Sequence, residues 1–327
     1  MDAVLSAYSP DLARRVWMSV GGGFSGATVW KGMAPDGSAV ALKKWPAGFP
    51  ADRLCVIHHW MRAVADLPFV PRIVPNRSGE TVVQSAGRLW DLSTWLPGIP
   101  DSHPTDERLA AACRALAEFH RRTAVIPADA GQPRFTEIPA VRRRLALFGS
   151  YRSWQAENAR PPVTAHTGLN AACAEAFSLL PQVLPELGRV LQLWRGQMLP
   201  AFPCLCDVHT GHVLFTGDSV AGVIDYGAMK IDHPAVDLAR YLGAATTGDA
   251  GRLNVGLDAY RRSGPPVEVP AQLVELLDRS GTAGGLANWL LRISAGHPIE
   301  DPKTVARRMA RMLSRLADSP GGTPALM

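Results

Sequence analysis

A short run in the second half of the chain, Cys204 to Phe215, reads CLCDVHTGHVLF and gathers two cysteines, an aspartate and two histidines. A second aspartate, Asp225, follows in VIDYG. Phosphoryl transfer to a hydroxyl needs one carboxylate to orient the acceptor and take its proton, and another to hold the metal on the phosphates. Asp207 and Asp225 flank a short hairpin pattern, HVLF then TGDS then VAGVID, that holds such a pair rigidly. The same run admits two other readings. Cys204, Cys206, His209 and His212 have the ligand types of a zinc site, although their spacing matches none of the familiar zinc patterns. A merely polar strand and turn is the third.

Two further segments bear on this choice. In GGGFSG, residues Gly21, Gly23 and Gly26 satisfy G-x-G-x-x-G, a weak signal alone because a tight hairpin also needs glycines. Strand patterns stand on both sides of it, which fits the phosphate-covering loop of kinases and not a dinucleotide fold, where a helix follows. Ser25 at the tip is placed either to donate to a phosphate or simply to meet solvent. In VALK, Val40 to Lys43, strand alternation puts Ala41 and Lys43 on one face. A small residue beside an inward lysine leaves room for adenine and lets the lysine reach its phosphates; the bland reading is a solvated edge-strand lysine.

The elements that must hold these residues fall into two regions. From about Val16 to Thr94 the sequence alternates apolar and polar positions between Gly, Pro and Asn turns, the pattern of antiparallel strands: VWMSV, ATVWKG, SAVALKKW, TVVQ and RLWDLSTW. One helical window, Ala51 to Val64, interrupts them. Beyond Pro97 and Gly98 helical spacing dominates, in Asp106 to Arg122, Leu169 to Gln197, Pro234 to Ala245, Leu253 to Arg262 and Pro302 to Ala317. The expected fold class is therefore α+β, with a small β-rich lobe over residues 1–96 and a larger helical lobe over residues 97–327.

Composition agrees with a globular chain: 327 residues, 47% hydrophobic and 19% charged. The five cysteines are too few for a disulfide framework. A net charge of +5 is spread without a long basic run, which argues against nucleic acid as a partner. With no leader pattern and no apolar run of membrane length, a cytoplasmic protein with no membrane partner is expected.

With these segments in order, the sequence resembles the aminoglycoside phosphotransferase family, small-molecule kinases of the protein-kinase-like two-lobe fold. The family pattern H-G-D-x-H-x-x-N, then V-I-D-[WF]-[GE], then D-x-P-x-x-D-L-A is met here by LCDVHTGHVLF, GVIDYG and DHPAVDLARYLG. LSTWLPG is similar to the family's connection between lobes, and RALAEFH to its following helix. The resemblance implies Asp207 as catalytic base, with His209 and His212 beside it in the catalytic loop. It implies Asp225 as a metal ligand, His212 at the second metal position, Lys43 on the phosphates and Asp237 as a structural support. ATP with Mg2+ or Mn2+ is the implied cofactor pair, with Gly21, Gly23, Ser25 and Gly26 over the phosphates and Leu92, Ser93 and Thr94 beside the adenine.

Three positions depart from the pattern. His212 replaces an asparagine, and imidazole suits softer metals than magnesium. Leu205 and Cys206 replace His-Gly. No glutamate lies between Lys43 and Glu80, so the helical window lacks the usual partner for the lysine. A catalytically weak kinase-like protein that binds a nucleotide or a partner is the alternative these departures leave open. The acceptor is expected against the helical region, near AVRRRLALFGSYRSWQ, a basic and aromatic stretch. That stretch favours a neutral or anionic hydroxylated small molecule over a polycation. The hairpin is also similar to that of the family's homoserine kinases, which keeps an amino-acid alcohol in view. Tyr151, Trp154 and Trp289 are candidates either for a pocket wall or for core.

Overall fold

The structure is a computed structural model and describes residues 1–20, 26–126 and 135–317. It opens on two short helices that the strand reading did not contain, α1 (Asp2–Tyr8) and α2 (Pro10–Ala13). Strands β1 (Met18–Val20), β2 (Thr28–Met33) and β3 (Ala39–Lys44) follow, then helix α3 (Ala51–Ala63) and strands β4 (Val83–Ser85) and β5 (Arg88–Thr94). The strands form one antiparallel sheet in the order β1-β2-β3-β5-β4.

Alternation divides this sheet into two faces. Val40 and Leu42 of β3 and Trp90 and Leu92 of β5 are buried against Val4, Leu5, Tyr8 and Leu12, so α1 and α2 serve as the lid on one side. The intervening residues Ala41, Lys43, Asp91 and Ser93 face the other way, toward α3 and the helical region. The strand reading of VALK thus holds in its detail.

After Gly98 come β6 (Ile99–Pro100) and α4 (Asp106–Ala124), whose first turn is capped by the Thr105 hydroxyl accepting from the Arg108 N–H. Strand β7 (Phe135–Glu137) and helices α5 (Pro139–Glu157) and α6 (Thr167–Trp194) follow. The catalytic-type run lies between β8 (Met198–Pro200), β9 (Phe202–Cys204), the hairpin β10 (Val213–Thr216) with β11 (Ser219–Val223), and β12 (Lys230–Asp232). β9 pairs with β12, and β10 pairs with both β11 and β6. Helices α7 (Ala235–Thr246), α8 (Ala250–Arg262), α9 (Ala271–Ser294) and α10 (Pro302–Ala317) complete the helical region. One large core joins them, with Phe119, Phe202, Tyr226, Tyr241 and Tyr260 among its buried residues. Among the described residues no helix is long and apolar enough to cross a membrane.

Candidate active site

The β9–β12 and β10–β11 pairs fix where the two aspartates stand. β9 ends at Cys204, and the chain then turns sharply: Cys206 has a φ of +64°. Left-handed backbone costs an L-residue roughly 1–2 kcal/mol, and this is one of the two positions where the family pattern has His-Gly. Asp237, fully buried near the start of α7, holds the turn by accepting the Leu205 N–H at 2.8 Å and the Cys206 N–H at 2.6 Å. His120 on α4 donates to the same carboxylate at 3.0 Å, and its other ring nitrogen meets the Tyr260 hydroxyl at 2.9 Å. These contacts tie the Asp237 carboxylate to the turn before Asp207 and to α4.

Asp207 follows this turn, with its carboxylate half exposed and its Oδ1 accepting from Arg240 Nε at 2.9 Å. The loop closes in a 3-10 turn, Thr210–His212, capped by the His209 ring, whose Nδ1 accepts the Gly211 N–H at 3.1 Å. His209 and His212 stack with ring centroids 3.8 Å apart. His209 thus contacts the turn and His212.

Asp225 is the second left-handed non-glycine residue of the site, with φ +62°. Its Oδ1 accepts from Lys43 Nζ at 3.0 Å, an ion pair that ties the sheet to the helical region. Burial pushes the Asp225 carboxyl up, but the Lys43 ammonium outweighs it and holds the group below its ordinary range. Lys43 also lies over the Trp45 ring at 4.1 Å from its centroid.

His212 connects the two aspartates. Its Nδ1 donates to the Asp207 carbonyl at 2.9 Å, which leaves the lone pair on Nε2, 3.9 Å from Asp225 Oδ2. Burial lowers the His212 pKa against the opposing pull of Asp225 and Asp207, so the ring is neutral at neutral pH. An imidazole whose second N–H is fixed by a backbone carbonyl, facing a carboxylate oxygen, is the arrangement of a metal ligand. Asp225 and His212 therefore fit a divalent cation.

The lysine partner missing from the sequence is replaced by a different tie. Asp91, opposite Lys43 in the β3–β5 register and buried, accepts from Trp45 Nε1 at 2.6 Å and from His58 Nε2 of α3 at 3.2 Å. Helix α3 is thus pinned to β5 through His58, while Lys43 turns to Asp225.

The adenine contacts expected at Leu92, Ser93 and Thr94 are corrected by the sheet. The Leu92 carbonyl accepts the Val74 N–H at 2.8 Å, and the Thr94 N–H donates to the Arg72 carbonyl at 2.9 Å. Ser93 stands opposite Ala41 and bridges Ile73. Segment 72–74 acts as an extra strand that engages these groups. Trp95 N–H still bonds Ala39 at 2.9 Å, so backbone leaves the ladder only at Leu96. Gly21, Gly23 and Ser25 lie outside the described residues; Gly26 is described, at φ +71°.

The zinc quartet does not assemble. Cys204 Sγ faces the Asp232 carbonyl at 3.3 Å, and Cys206 lies beyond the strand, its thiol pushed well up by burial and the nearby Asp237. Among the described residues the closest grouping of ligand types is His120, Cys204 and Asp237, whose carboxylate and imidazole are engaged in holding the loop.

Beside Asp207 opens a cavity of about 340 Å³, whose wall includes Cys206, Arg240 and Trp289. Tyr151 is instead fully buried core, and the Trp154 indole donates to Ser294 at 2.9 Å. Sequence patterns gave no sign of Arg240 or Asp91, whose partners Asp207 and His58 lie 33 residues away in each case.

Residues 16–270 match the model of the phosphotransferase enzyme family. The chain belongs to this family. It is 28% identical over 274 residues to a homoserine kinase of Methylorubrum populi, covering 75% of this chain and 77% of that protein. In fold it is similar to an amicoumacin kinase solved with AMP-PNP and Ca2+, with a TM-score of 0.61, 13% identity and coverage of 94% and 89% of the two chains. A macrolide 2'-phosphotransferase of Brachybacterium faecium gives 0.57 and 16%, covering 99% and 100%. The α+β fold is thus the protein-kinase-like fold of small-molecule phosphotransferases.

Proposed function

We propose that this phosphotransferase moves the γ-phosphoryl group of ATP to a hydroxyl of a small, non-cationic molecule. The observation that carries the reading is the chain of contacts from Lys43 through Asp225 and His212 to Asp207, which brings sheet and catalytic loop to one point. Lys43 would meet the phosphates, and the adenine edge would find backbone from Leu96 onward. Asp207 orients the acceptor hydroxyl and takes its proton as the oxygen attacks phosphorus in line, with ADP leaving. Asp225 and His212 would hold Mg2+ or Mn2+, which when bound neutralises charge on the phosphates. The homoserine kinase relative makes an amino-acid alcohol one acceptor to try.

A second reading, nucleotide binding without efficient transfer, draws on α3, which offers Lys43 no glutamate and instead pairs His58 with Asp91. A thermal-shift titration with ATP, with and without Mg2+ or Mn2+, on wild type and Asp225→Ala tests the site. A metal-dependent rise in midpoint that the substitution removes supports it. No shift at millimolar ATP under any metal overturns it. Turnover that vanishes in Asp207→Ala while ATP binding persists then separates transfer from binding alone.

A further inference from the structure

Trp45 follows Lys43 by two positions, so strand alternation, carried one residue past the end of β3, puts both on one face of the sheet. Its backbone N–H bonds the Leu89 carbonyl at 2.9 Å, and its side chain is buried. The indole touches three parts of the candidate site. Nε1 donates to the Asp91 carboxylate at 2.6 Å, the Lys43 ammonium lies over the ring at 4.1 Å from its centroid, and the outer ring edge meets Gly227. A Cβ at Gly227 would lie 3.0 Å from Trp45 Cζ3, so the ring packs on the backbone just past Asp225. Arg53 of α3 donates to the Gly227 carbonyl at 3.2 Å. The left-handed turn at Asp225 is thus braced by Trp45 and α3 together.

A lysine over an aromatic ring is common and by itself says little. This sheet has others: Lys31 lies 4.7 Å from the Trp95 centroid, and Lys44 lies 5.5 Å from that of Trp30 and 5.8 Å from that of Trp90. Two features set Trp45 apart. Its contact is the shortest of these, and its N–H is held by a carboxylate that His58 also holds, whereas the buried Trp90 N–H has no partner among the described residues. The ring is therefore fixed independently of the lysine. Lys43, by contrast, ends a flexible four-carbon stem. Its ion pair with Asp225 cannot aim it once phosphates enter, because both groups would then turn to the ligand. Asp91, although opposite Lys43 in the register, makes its hydrogen bonds with Trp45 and His58. The ring contact is the one that can persist.

We propose that Trp45, anchored by Asp91, is the positioning residue for Lys43, its ring holding the ammonium toward the phosphates of a bound nucleotide. The inference rests on the phosphotransferase reading above and adds to it a residue outside the motifs that led there.

Two measurements on the full chain test it. The chain carries nine tryptophans, so the Trp45 emission is taken as the difference between a protein and its Trp45→Phe variant. That difference should change in intensity between the wild-type and Lys43→Met backgrounds before any nucleotide is added. Identical difference spectra in the two backgrounds overturn the contact. Calorimetric titration with ATP and Mg2+ gives the second readout. Trp45→Leu should weaken ATP about tenfold, and Trp45→Phe, which keeps a ring face, by less. In Lys43→Met, Trp45→Leu should cost nothing further, since the group it positions is gone. An equal loss in both backgrounds would make Trp45 a structural part only and overturns the proposal. Should Trp45→Leu not fold, or Lys43→Met bind no ATP, the difference spectra decide. Absence of ATP binding by wild type removes the phosphotransferase reading and this inference with it. Unchanged ATP affinity in a folded Trp45→Leu removes this inference alone.

Discussion

Arg240 Nε donates to Asp207 Oδ1 at 2.9 Å, and the same side chain lines the cavity beside it. One guanidinium thus orients the candidate base and forms part of the wall against which the acceptor would sit. Arg240→Gln is expected to lower kcat for phosphoryl transfer about 10- to 100-fold, the range seen when a partner that orients a functional group is lost. ATP affinity should hold, and Arg240→Lys should recover part of the rate. Equal kcat in Arg240→Gln and wild type would remove the positioning role.

The residues that were legible in the sequence are those whose partners are set by local chain geometry. Asp207, His209 and His212 share one loop, Asp225 ends the hairpin that follows, and Lys43 takes its direction from strand alternation alone. What could not be read depends on contacts across the chain. Asp91 looks like an ordinary strand residue until α3 brings His58 to it. The family resemblance put Leu92 and Thr94 beside the adenine, yet 72–74 pairs with them, a contact no local pattern shows. Helix α9 escaped because it is apolar on several sides and broken by Gly281, Gly284 and Gly285, so its spacing carries no single face. The cavity beside Asp207 draws on α5, α7, α9 and α10, and no one of these segments shows it.

His212 in place of asparagine carries a prediction about metals. Its Nε2 lone pair faces Asp225 Oδ2 at 3.9 Å, and nitrogen ligands raise affinity for manganese more than for magnesium. The ATP-dependent thermal shift should be larger with Mn2+ than with Mg2+, and His212→Asn should bring the two together. Direct Mn2+ binding followed by electron paramagnetic resonance gives a second readout. An unchanged preference in His212→Asn would place the metal on Asp225 without the imidazole.

Acid should destabilise the fold through two histidines. Burial and the nearby His212 and Arg240 push His209 down to about 4, and burial with His120 pushes His233 down to about 4. Both fall below the ordinary 6.5, so the unfolded chain binds more protons than the folded one between those values. Stability is then complete above 6.5 and is lost as pH falls toward 4, with a slope of up to about 1.4 kcal/mol per pH unit for each ring. His233 Nδ1 accepts the Ala235 N–H at 3.2 Å, an acceptor role asparagine can keep without titrating. His233→Asn should therefore flatten the pH dependence of chemical denaturation in this window. A slope equal to that of wild type would assign the effect elsewhere.

Gly98 marks the join between the sheet and the helical region, and two separate demands act on it. Its φ is +95°, a conformation that strains any residue with a Cβ, and a Cβ there would lie 2.7 Å from the Phe215 carbonyl oxygen of β10. Backbone cannot yield as a side-chain tip does, so the strand or the connection must shift. Gly37 supplies the control, since it shares the positive φ, +85°, and has nothing within 4 Å of the added atom. Gly37→Ala should cost roughly 1–2 kcal/mol, the conformational part alone. Gly98→Ala should cost about 1–3 kcal/mol more, the ordinary penalty of forcing an atom into a packed site. Chemical denaturation of the two variants measures the difference. Equal losses would mean that the connection floats free of β10, and that the sheet is held to the helical region by other contacts, among them the Lys43–Asp225 pair and the Val223 N–H on the Phe69 carbonyl.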